Sequence, residues 1–280
     1  MANDDPPRSR AARRAAEDAL VRVVHHYGET AEFVLLGGLV PELLCSGAGV
    51  SHAGTTDVDV QVNLEIAAGS TNMARLEQAL GNAEFTPDTE RIWRWQTDID
   101  GQRAVVKFEL LADLDDAPAG AVVSFDECEK LGAINLWGTG FAARDCSPRP
   151  MRARIGGVNY RVEVNVTGLA GFLLAKIAAA YGRRKEKDWY DIAFVLLHNN
   201  EGGPEAAARL VRDRFGGDFV GAVRTALDDL AANFADPEAQ GPAAYASQMA
   251  LDQPGLDEIQ LRADSVVAVR AFYAHVPEVT

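Results

Sequence analysis

The chain has 280 residues, of which 48% are hydrophobic, enough for one large core or two smaller ones. Its formal net charge of −14 disfavours non-specific binding to DNA or RNA, so a nucleic-acid substrate would need a local basic patch. The sequence shows no apolar run of bilayer length, no secretory h-region and only three widely spaced cysteines. We therefore expect a cytoplasmic protein with reduced thiols and no membrane partner.

The first part of the chain predicts a helix followed by a strand, a glycine pair and a second helix. Residues 9–27 carry apolar side chains at helical spacing. The run Phe33-Val34-Leu35-Leu36 indicates a buried strand, and Pro41 suits the first turn of the helix that follows Gly37-Gly38. Glycines let the backbone approach an anion, and a helix N-terminus offers free N–H groups, so this arrangement is suited to phosphate.

The segment over residues 55–62 predicts a strand with a polar and an apolar face. Asp57, Asp59, Gln61 and Asn63 alternate with Val58, Val60, Val62 and Leu64. Two like charges on one face repel each other unless a divalent cation lies between them. Together with the glycine pair, the two aspartates predict a nucleotide bound through Mg²⁺.

The remaining pattern predicts an α+β protein, with a small mixed sheet and flanking helices followed by a helical C-terminal region. Ser70 or Thr71 can cap a helix running to about residue 82. Asp100-Gly101 predicts the turn of a hairpin. The other predicted elements are hairpin strands over 91–97 and 103–111, short strands within 121–165, helices over 169–198, loops at 201–204 and 235–242, and mostly helix in the rest of the C-terminal part. The predicted domains are therefore an α/β domain over 1–167 and a helical domain over 168–280.

Glu109 is the candidate for a third acid. It shares a face of the second hairpin strand with Val105 and Lys107, where it could complete a metal site or accept a proton from an attacking hydroxyl. The alternative is a surface hairpin with a Lys–Glu pair. Asp113 and Asp115 are further acidic candidates, which lie beyond the predicted strand.

Lys176 interrupts an otherwise apolar helix, where its charge needs either solvent or an anion such as a triphosphate. Arg183 lies two turns later on nearly the same face, and Asp188 and Asp191 share a face at i, i+3. The aspartates could orient Lys176 or the arginines by ion pairing. The alternative is a half-exposed lysine, with Asp188 capping the next helix.

Two groups of basic residues could supply the patch that a nucleic acid would need. Alternatively, they offset acidic residues elsewhere on the surface. The groups are Arg149, Arg152, Arg154 and Arg161, and Arg183, Arg184, Lys185 and Lys187.

Over roughly residues 30–200 the chain resembles the AbiEii/MenT family of nucleotidyltransferases, within the DNA polymerase β-like superfamily. The residues that carry the resemblance are Gly37-Gly38, Thr55-x-Asp57-x-Asp59, Lys176 and Lys187-Asp188-Trp-Tyr-Asp191-Ile192. It implies transfer of a nucleoside monophosphate from an NTP to an acceptor hydroxyl, in characterised members the 3′ end of tRNA. It also implies a toxin paired with a cognate antitoxin protein.

The resemblance and the residue pattern together assign roles to the site. Asp57, Asp59 and Glu109 are expected to hold Mg²⁺. Lys176 and either Asp188 or Asp191 match functional positions of the family, and the nucleotide is assigned to Gly37, Gly38, Thr55, Thr56, Lys176 and Arg183. The chain departs from the family at Gly38, where a serine is frequent, and at Ser51-His52-Ala53-Gly54, where an arginine is common.

Two other functions are compatible with the sequence. Because cationic drugs suit acidic clefts, the net charge of −14 favours a nucleotidyltransferase acting on a small molecule such as an antibiotic hydroxyl. A non-catalytic relative that binds a nucleotide or a partner would fit the departure at His52-Ala53.

Overall fold

The computed structural model of the protein describes residues 9–28, 31–62, 71–98 and 105–276. The chain divides into two compact units, the first comprising Met1–Val40 and Gly54–Thr167, and the second Pro41–Ala53 and Gly168–Thr280. The predicted domains differ from these units in residues 41–53, which belong to the second unit. None of the helices in the described residues is both long and apolar enough to pass through a bilayer.

The first unit contains a mixed sheet. Its described strands are β1 (Phe33–Leu36), β2 (Asp57–Val62), β3 (Thr86–Pro87), β4 (Arg94–Asp98), β5 (Val105–Ala112), β6 (Val122–Ser124), β7 (Gly132–Asn135), β8 (Cys146–Ile155) and β9 (Val158–Thr167). The main order is β3-β4-β5-β2-β1-β9-β8, and β7 pairs with β5 and β6. β2 runs antiparallel to β1 and parallel to β5, while β9 runs parallel to β1.

The helices of the first unit cover both faces of this sheet. They are α1 (Arg10–Tyr27), α3 (Thr71–Asn82) and α4 (Gly140–Arg144), while α2 (Val40–Leu44) begins at the unit boundary. The amide of Ala12 donates to the Ser9 hydroxyl at the start of α1, and Gly28 ends the helix with a φ of 91°.

The two faces of the sheet have different neighbours. Phe33 of β1 packs edge-to-face on Phe108 of β5, and His25 of α1 contacts the ring of Tyr160 on β9. The register of β1 and β9 puts these side chains on one face, which α1 covers. On the opposite face, Ala142 of α4 packs with Val34, Leu36 and Leu111. Asp57 and Asp59 belong to this second face, because Asp59 is the register partner of Leu36 and Asp57 lies two residues before it on the same strand.

The second unit is helical. Its helices are α5 (Leu169–Arg183), α6 (Glu186–His198), α7 (Pro204–Phe215), α8 (Gly221–Asn233), α9 (Gln240–Asp252) and α10 (Glu258–His275). The predicted loop at 235–242 is too long, since α9 already begins at Gln240. Gly241 and Pro242 lie in its first turn, where the missing N–H of proline has no partner to lose. The predicted α+β class, with a mixed sheet followed by a helical C-terminal region, is confirmed.

Several sequence predictions for individual elements also hold. The helices at residues 10–27 and 71–82 and the strand at 33–36 form as expected. The short strands predicted within 121–165 include two that are longer than expected, because β8 and β9 are ten residues each. Asn63, Leu64, Ser70 and the Asp100-Gly101 turn lie outside the described residues.

Candidate active site on the first unit

The backbone that follows β1 lies directly against Asp59 of β2. Leu36 and Asp59 are register partners, and the chain then turns at Gly37 with a φ of +77°. A Cβ atom added to Gly37 would overlap the Asp59 carboxylate. Glycine is therefore required twice at this position, once for the left-handed backbone and once for the space that the carboxylate occupies.

The side chain of Thr55 leaves no room for a larger residue at position 38. A Cβ atom at this position would lie 2.9 Å from both Cβ and Cγ2 of Thr55. The serine that is frequent here in the AbiEii/MenT family would meet the same side chain. The departure at Gly38 therefore has a steric reason within this chain.

Substituting Gly37 with alanine should destabilise the protein more than substituting Gly120. Both glycines have positive φ values, +77° and +83°, but a Cβ at Gly120 meets nothing within 4 Å. The Gly120→Ala variant then measures the backbone cost alone, about 1–2 kcal/mol. Gly37→Ala adds the displacement of Asp59. Urea unfolding of both variants measures the difference, and equal losses would show that the carboxylate does not need this space.

Asp57 and Asp59 lie on one face of β2 and are positioned from both ends of the motif. The backbone N–H of Asp57 donates to the Thr55 hydroxyl at 3.0 Å, and the carbonyl of Thr56 accepts from the amide of Lys107 at 3.1 Å. Thr55 and Thr56 are both buried. On β5, Lys107 is the register partner of Asp57, and its Nζ lies 3.9 Å from Asp57 Oδ1.

Glu109 lies beside Asp59, but its carboxylate is bound by Arg94. Asp59 and Glu109 are register partners on β2 and β5, and Arg94 is the partner of Glu109 across the β4–β5 ladder. Arg94 Nε donates to Glu109 Oε1 at 2.6 Å, and Arg94 Nη2 contacts the same oxygen. The sequence predicted that Glu109 shares a face with Lys107, but it gave no sign of the Arg94 partner.

Asp113 has a structural partner set. Its carboxylate accepts hydrogen bonds from the amides of Gly138 and Gly140, each at 2.9 Å, at the start of α4. Burial raises the pKa of this carboxyl, against the opposing effect of the two amide donors. Asp113 therefore secures the turn into α4.

The side chains near Asp57 and Asp59 show whether the predicted Mg²⁺ would find suitable ligands here. Across the described part of the chain, no three His, Cys, Asp or Glu side chains are grouped so as to hold a metal ion. Mg²⁺ is commonly bound by one or two carboxylates, with substrate phosphates and water supplying the other oxygens. Asp57 and Asp59, beside the space that only a glycine leaves at position 37, fit that mode. Glu109 would join them only by releasing Arg94.

The second group of predicted residues forms a buried ionic cluster in the second unit. Lys176 Nζ lies 3.2 Å from Asp188 Oδ1 and 2.7 Å from Asp191 Oδ2, and Arg183 Nε donates to Asp188 Oδ2 at 2.6 Å. Lys176 is only 7% exposed, and both aspartates are fully buried. Asp188 does not cap α6, whose N-cap residue is Lys185.

The charges in this cluster shift the pKa values of Asp188 and Lys176. Burial alone would raise the pKa of the Asp188 carboxyl, but Lys176 and Arg183 lower it below its ordinary value. Burial alone would lower the pKa of the Lys176 ammonium, but Asp191 and Asp188 raise it. Each group is therefore held in its charged form by its partners.

His52 completes the cluster. Its Nε2 lies 2.9 Å from Asp191 Oδ1, and its ring packs against those of Tyr190 and Phe194. The amide of Ala53 donates to the Tyr190 hydroxyl at 3.0 Å. His52 and Ala53, which lie in the segment Ser51-His52-Ala53-Gly54, thus attach residues 41–53 to α6. The sequence did not indicate this role.

The structure therefore distributes the predicted residues over both units. Gly37, Gly38 and the Thr55–Asp59 motif meet on one face of the first unit, with Glu109 beside them. Lys176, Arg183, Asp188 and Asp191 form one cluster within the second unit.

No protein-family model and no curated protein matches the chain. Among solved structures, it is similar to an antigenic nucleotidyltransferase-like protein from Paracoccidioides brasiliensis, at 17% identity and a TM-score of 0.39, over 78% of this chain and 95% of that chain. A likeness at this level carries no information on activity, which has to be inferred from the residues of this chain.

Proposed function

We propose that the protein is a nucleotidyltransferase, which transfers a nucleoside monophosphate from an NTP to an acceptor hydroxyl and releases pyrophosphate. The observation that carries the proposal is the position of Asp59. Its carboxylate lies against the Gly37 backbone, with Asp57 two residues away on the same face of β2. A carboxylate pair next to a glycine-lined turn is suited to a nucleotide phosphate neutralised by a cation.

The chain's own residues would act mainly by position and charge, as is usual in phosphoryl-group chemistry. Asp57 and Asp59 would hold Mg²⁺, which supplies charge neutralisation on the phosphates and activation of the acceptor hydroxyl. Backbone N–H groups at the Gly37-Gly38 turn would face the phosphates. Lys107, 3.9 Å from Asp57, adds a positive charge at the same face.

The resemblance to the AbiEii/MenT family adds a finer proposal. The acceptor is then the 3′ end of tRNA, the protein is a toxin, and a cognate antitoxin neutralises it. The resemblance also assigns Lys176 to a phosphate of the nucleotide, whereas its ammonium group is bound by Asp188 and Asp191 within the second unit. Growth arrest on induced expression, relieved by an adjacent gene, would support the toxin assignment.

The test is transfer of label from each of the four α-labelled NTPs to total tRNA, with Mg²⁺ and with chelator. The expected result is Mg²⁺-dependent label in RNA for one or more nucleotides. Label in a small hydroxyl compound and not in RNA would show that the acceptor is a small molecule. Calorimetric binding of Mg²⁺-NTP without transfer to any acceptor would contradict catalysis and leave a nucleotide-binding protein.

A further inference from the structure

A cavity of about 550 Å³ lies within the first unit, lined by α1, by the end of β4 and the start of β5, and by the end of β8. Small-molecule sites in proteins have volumes of roughly 300–1,000 Å³, so this cavity is large enough for a metabolite. Arg10, Arg14, Asp18 and Arg22 follow one another at every fourth position of α1. They therefore share one face of the helix and form a charged wall of the cavity.

The cavity lies on the opposite face of the sheet from Asp57 and Asp59. Thr97 and Val106 line the cavity and are register partners on β4 and β5. Lys107, the next residue of β5, is the register partner of Asp57. Because successive side chains of a strand point to opposite faces, Val106 and Asp57 lie on different faces. A ligand in this cavity would therefore not contact the proposed metal site, and its binding is independent of the proposed transfer.

Carboxylates also line the cavity, but arginines offset most of their charge. Glu84 Oε2 accepts a hydrogen bond from Arg22 Nη1 at 3.2 Å. Burial raises the pKa of the Asp18 carboxyl, and the charges of Arg14 and Arg22 oppose this rise. Asp98 is exposed and forms no ion pair among the described residues. One carboxylate of the lining is thus left without a cation beside it.

Two further arginines of the lining have no carboxylate beside them. Arg10 begins α1, and Arg154 lies at the end of β8. Neither forms an ion pair in the parts of the chain that the structure describes. The dipole of α1 is positive at the end where Arg10 lies, so it adds to the positive charge there. An anion that enters the cavity would therefore meet two guanidinium groups without an acidic partner.

Thr97 gives a second, independent indication of a ligand. It is only 8% exposed and lines the cavity, and its hydroxyl has no hydrogen-bond partner among the described residues. Val106, Ala15 and Ala19, which line the same cavity, carry no polar side-chain atom. Buried side-chain hydroxyls in proteins are nearly always hydrogen-bonded. We therefore expect the Thr97 hydroxyl to bond to an atom from outside the chain.

We propose that this cavity binds a small molecule that carries a phosphate group and hydroxyl groups, such as a nucleoside monophosphate or a sugar phosphate. Guanidinium groups match phosphate oxygens bidentately, which assigns the phosphate to Arg10 and Arg154. The Thr97 hydroxyl and the Asp98 carboxylate are then available to hydroxyl groups of the ligand. An inorganic anion alone would leave most of the cavity unfilled, and the carboxylates of the lining would repel a long polyanion.

The experiment measures binding of AMP, ribose phosphate and inorganic phosphate to the full chain by isothermal titration calorimetry. Chelator is present, so no divalent cation supports binding at Asp57 and Asp59. The test variants are Arg154→Gln and Thr97→Val. The matched control is Arg152→Gln, which removes an exposed arginine two residues away on the same face of β8, outside the lining of the cavity.

We expect AMP and ribose phosphate to bind more tightly than inorganic phosphate. Arg154→Gln should raise the Kd of both larger probes about tenfold or more, because a charged hydrogen-bond donor to the phosphate is lost. Thr97→Val should raise it by a smaller factor, about threefold or more, because the lost hydrogen bond is between neutral groups. Arg152→Gln should keep the wild-type Kd. Tighter binding of AMP than of ribose phosphate would identify a nucleotide, and equal binding a sugar phosphate.

Thr97→Val has a second readout in the protein without ligand. Valine keeps the branched side chain but lacks the hydroxyl, so removal of a buried hydroxyl without a partner should raise the free energy of unfolding. Urea unfolding measures this change. A fall in the free energy of unfolding would show that the hydroxyl has a structural partner, and it would overturn the assignment of Thr97 to a ligand.

Several results of the calorimetry would overturn the proposal. Binding of inorganic phosphate as tight as that of both larger probes would show an adventitious ion only. Wild-type Kd values in both test variants, or no binding of any probe by the wild type, would exclude the cavity as a site. A raised Kd in an Asp57→Asn variant would show that the probes bind on the other face of the sheet. None of these measurements depends on nucleotidyl transfer, so failure of the proposed function would leave them unchanged.

Discussion

Replacing Asp57 or Asp59 with asparagine should abolish nucleotidyl transfer while leaving the fold at least as stable. An amide loses the charge that holds a divalent cation, so we expect the transfer rate to fall by about 10³-fold or more. The two carboxylates lie on the same face of β2, so removal of one relieves their mutual repulsion, and this offsets the 3.9 Å contact with Lys107 that the Asp57 variant loses. Initial rates with a labelled NTP and urea unfolding measure the two effects.

The control is Asp115→Asn, which removes a carboxylate from an exposed position after β5. This variant should keep full transfer activity and wild-type stability, since substitutions at exposed sites without special contacts cost at most about 0.5 kcal/mol. Retention of activity in both the Asp57 and Asp59 variants would contradict the proposed site. A loss of stability together with activity would show that the aspartates support the fold instead.

The strand carrying the aspartates could be predicted because its pattern is local. Alternation of Asp57 and Asp59 with Val58 and Val60 requires only that one face is buried, and a period of two then fixes which side chain faces which way. The glycine turn was also recognisable from the sequence, since a left-handed backbone favours glycine. The contact between Gly37 and the Asp59 carboxylate additionally requires the antiparallel register of β1 and β2, which no local pattern specifies.

The partners of the charged residues could not be predicted, because they are distant in sequence. Arg94 reaches Glu109 through the register of the β4–β5 ladder, and a two-residue turn at Asp100-Gly101 would instead have set Arg94 opposite Lys107. His52 is 139 positions from Asp191. A histidine within a short polar segment gives no sign that it will be buried beside a carboxylate. The cluster around Lys176 was partly foreseeable, since Arg183, Asp188 and Asp191 lie within helical reach.

Removing one charge from the buried cluster of the second unit should cost much more than removing two opposite charges. Lys176→Met leaves Asp188 and Asp191 with too little positive charge, and Asp188→Asn leaves Lys176 and Arg183 with too little negative charge. Each single variant should lose about 3–5 kcal/mol of unfolding free energy, because an uncompensated buried charge remains. The double variant restores the balance, so its loss should be well below the sum of the two single losses. The control is Lys185→Met at an exposed position, for which we expect a change in unfolding free energy near zero.

The difference in unfolding free energy between the wild type and the double variant depends on pH through the pKa shifts of Asp188 and Lys176. The pKa of Asp188 is lowered, so its contribution is fully present above the ordinary aspartate pKa, about 3.9, and is lost as pH falls through the folded value. The pKa of Lys176 is raised, so its contribution is fully present below the ordinary lysine pKa, about 10.4, and is lost as pH rises through the folded value. Urea unfolding of the wild type and the double variant should therefore give a difference that diminishes below about pH 4, where Asp188 is protonated, and above about pH 10, where Lys176 loses its proton. A folded double variant also separates the two possible roles of Lys176: if it transfers nucleotide at the wild-type rate, the cluster serves the fold alone, and if it is inactive, Lys176 or Asp188 acts in the reaction.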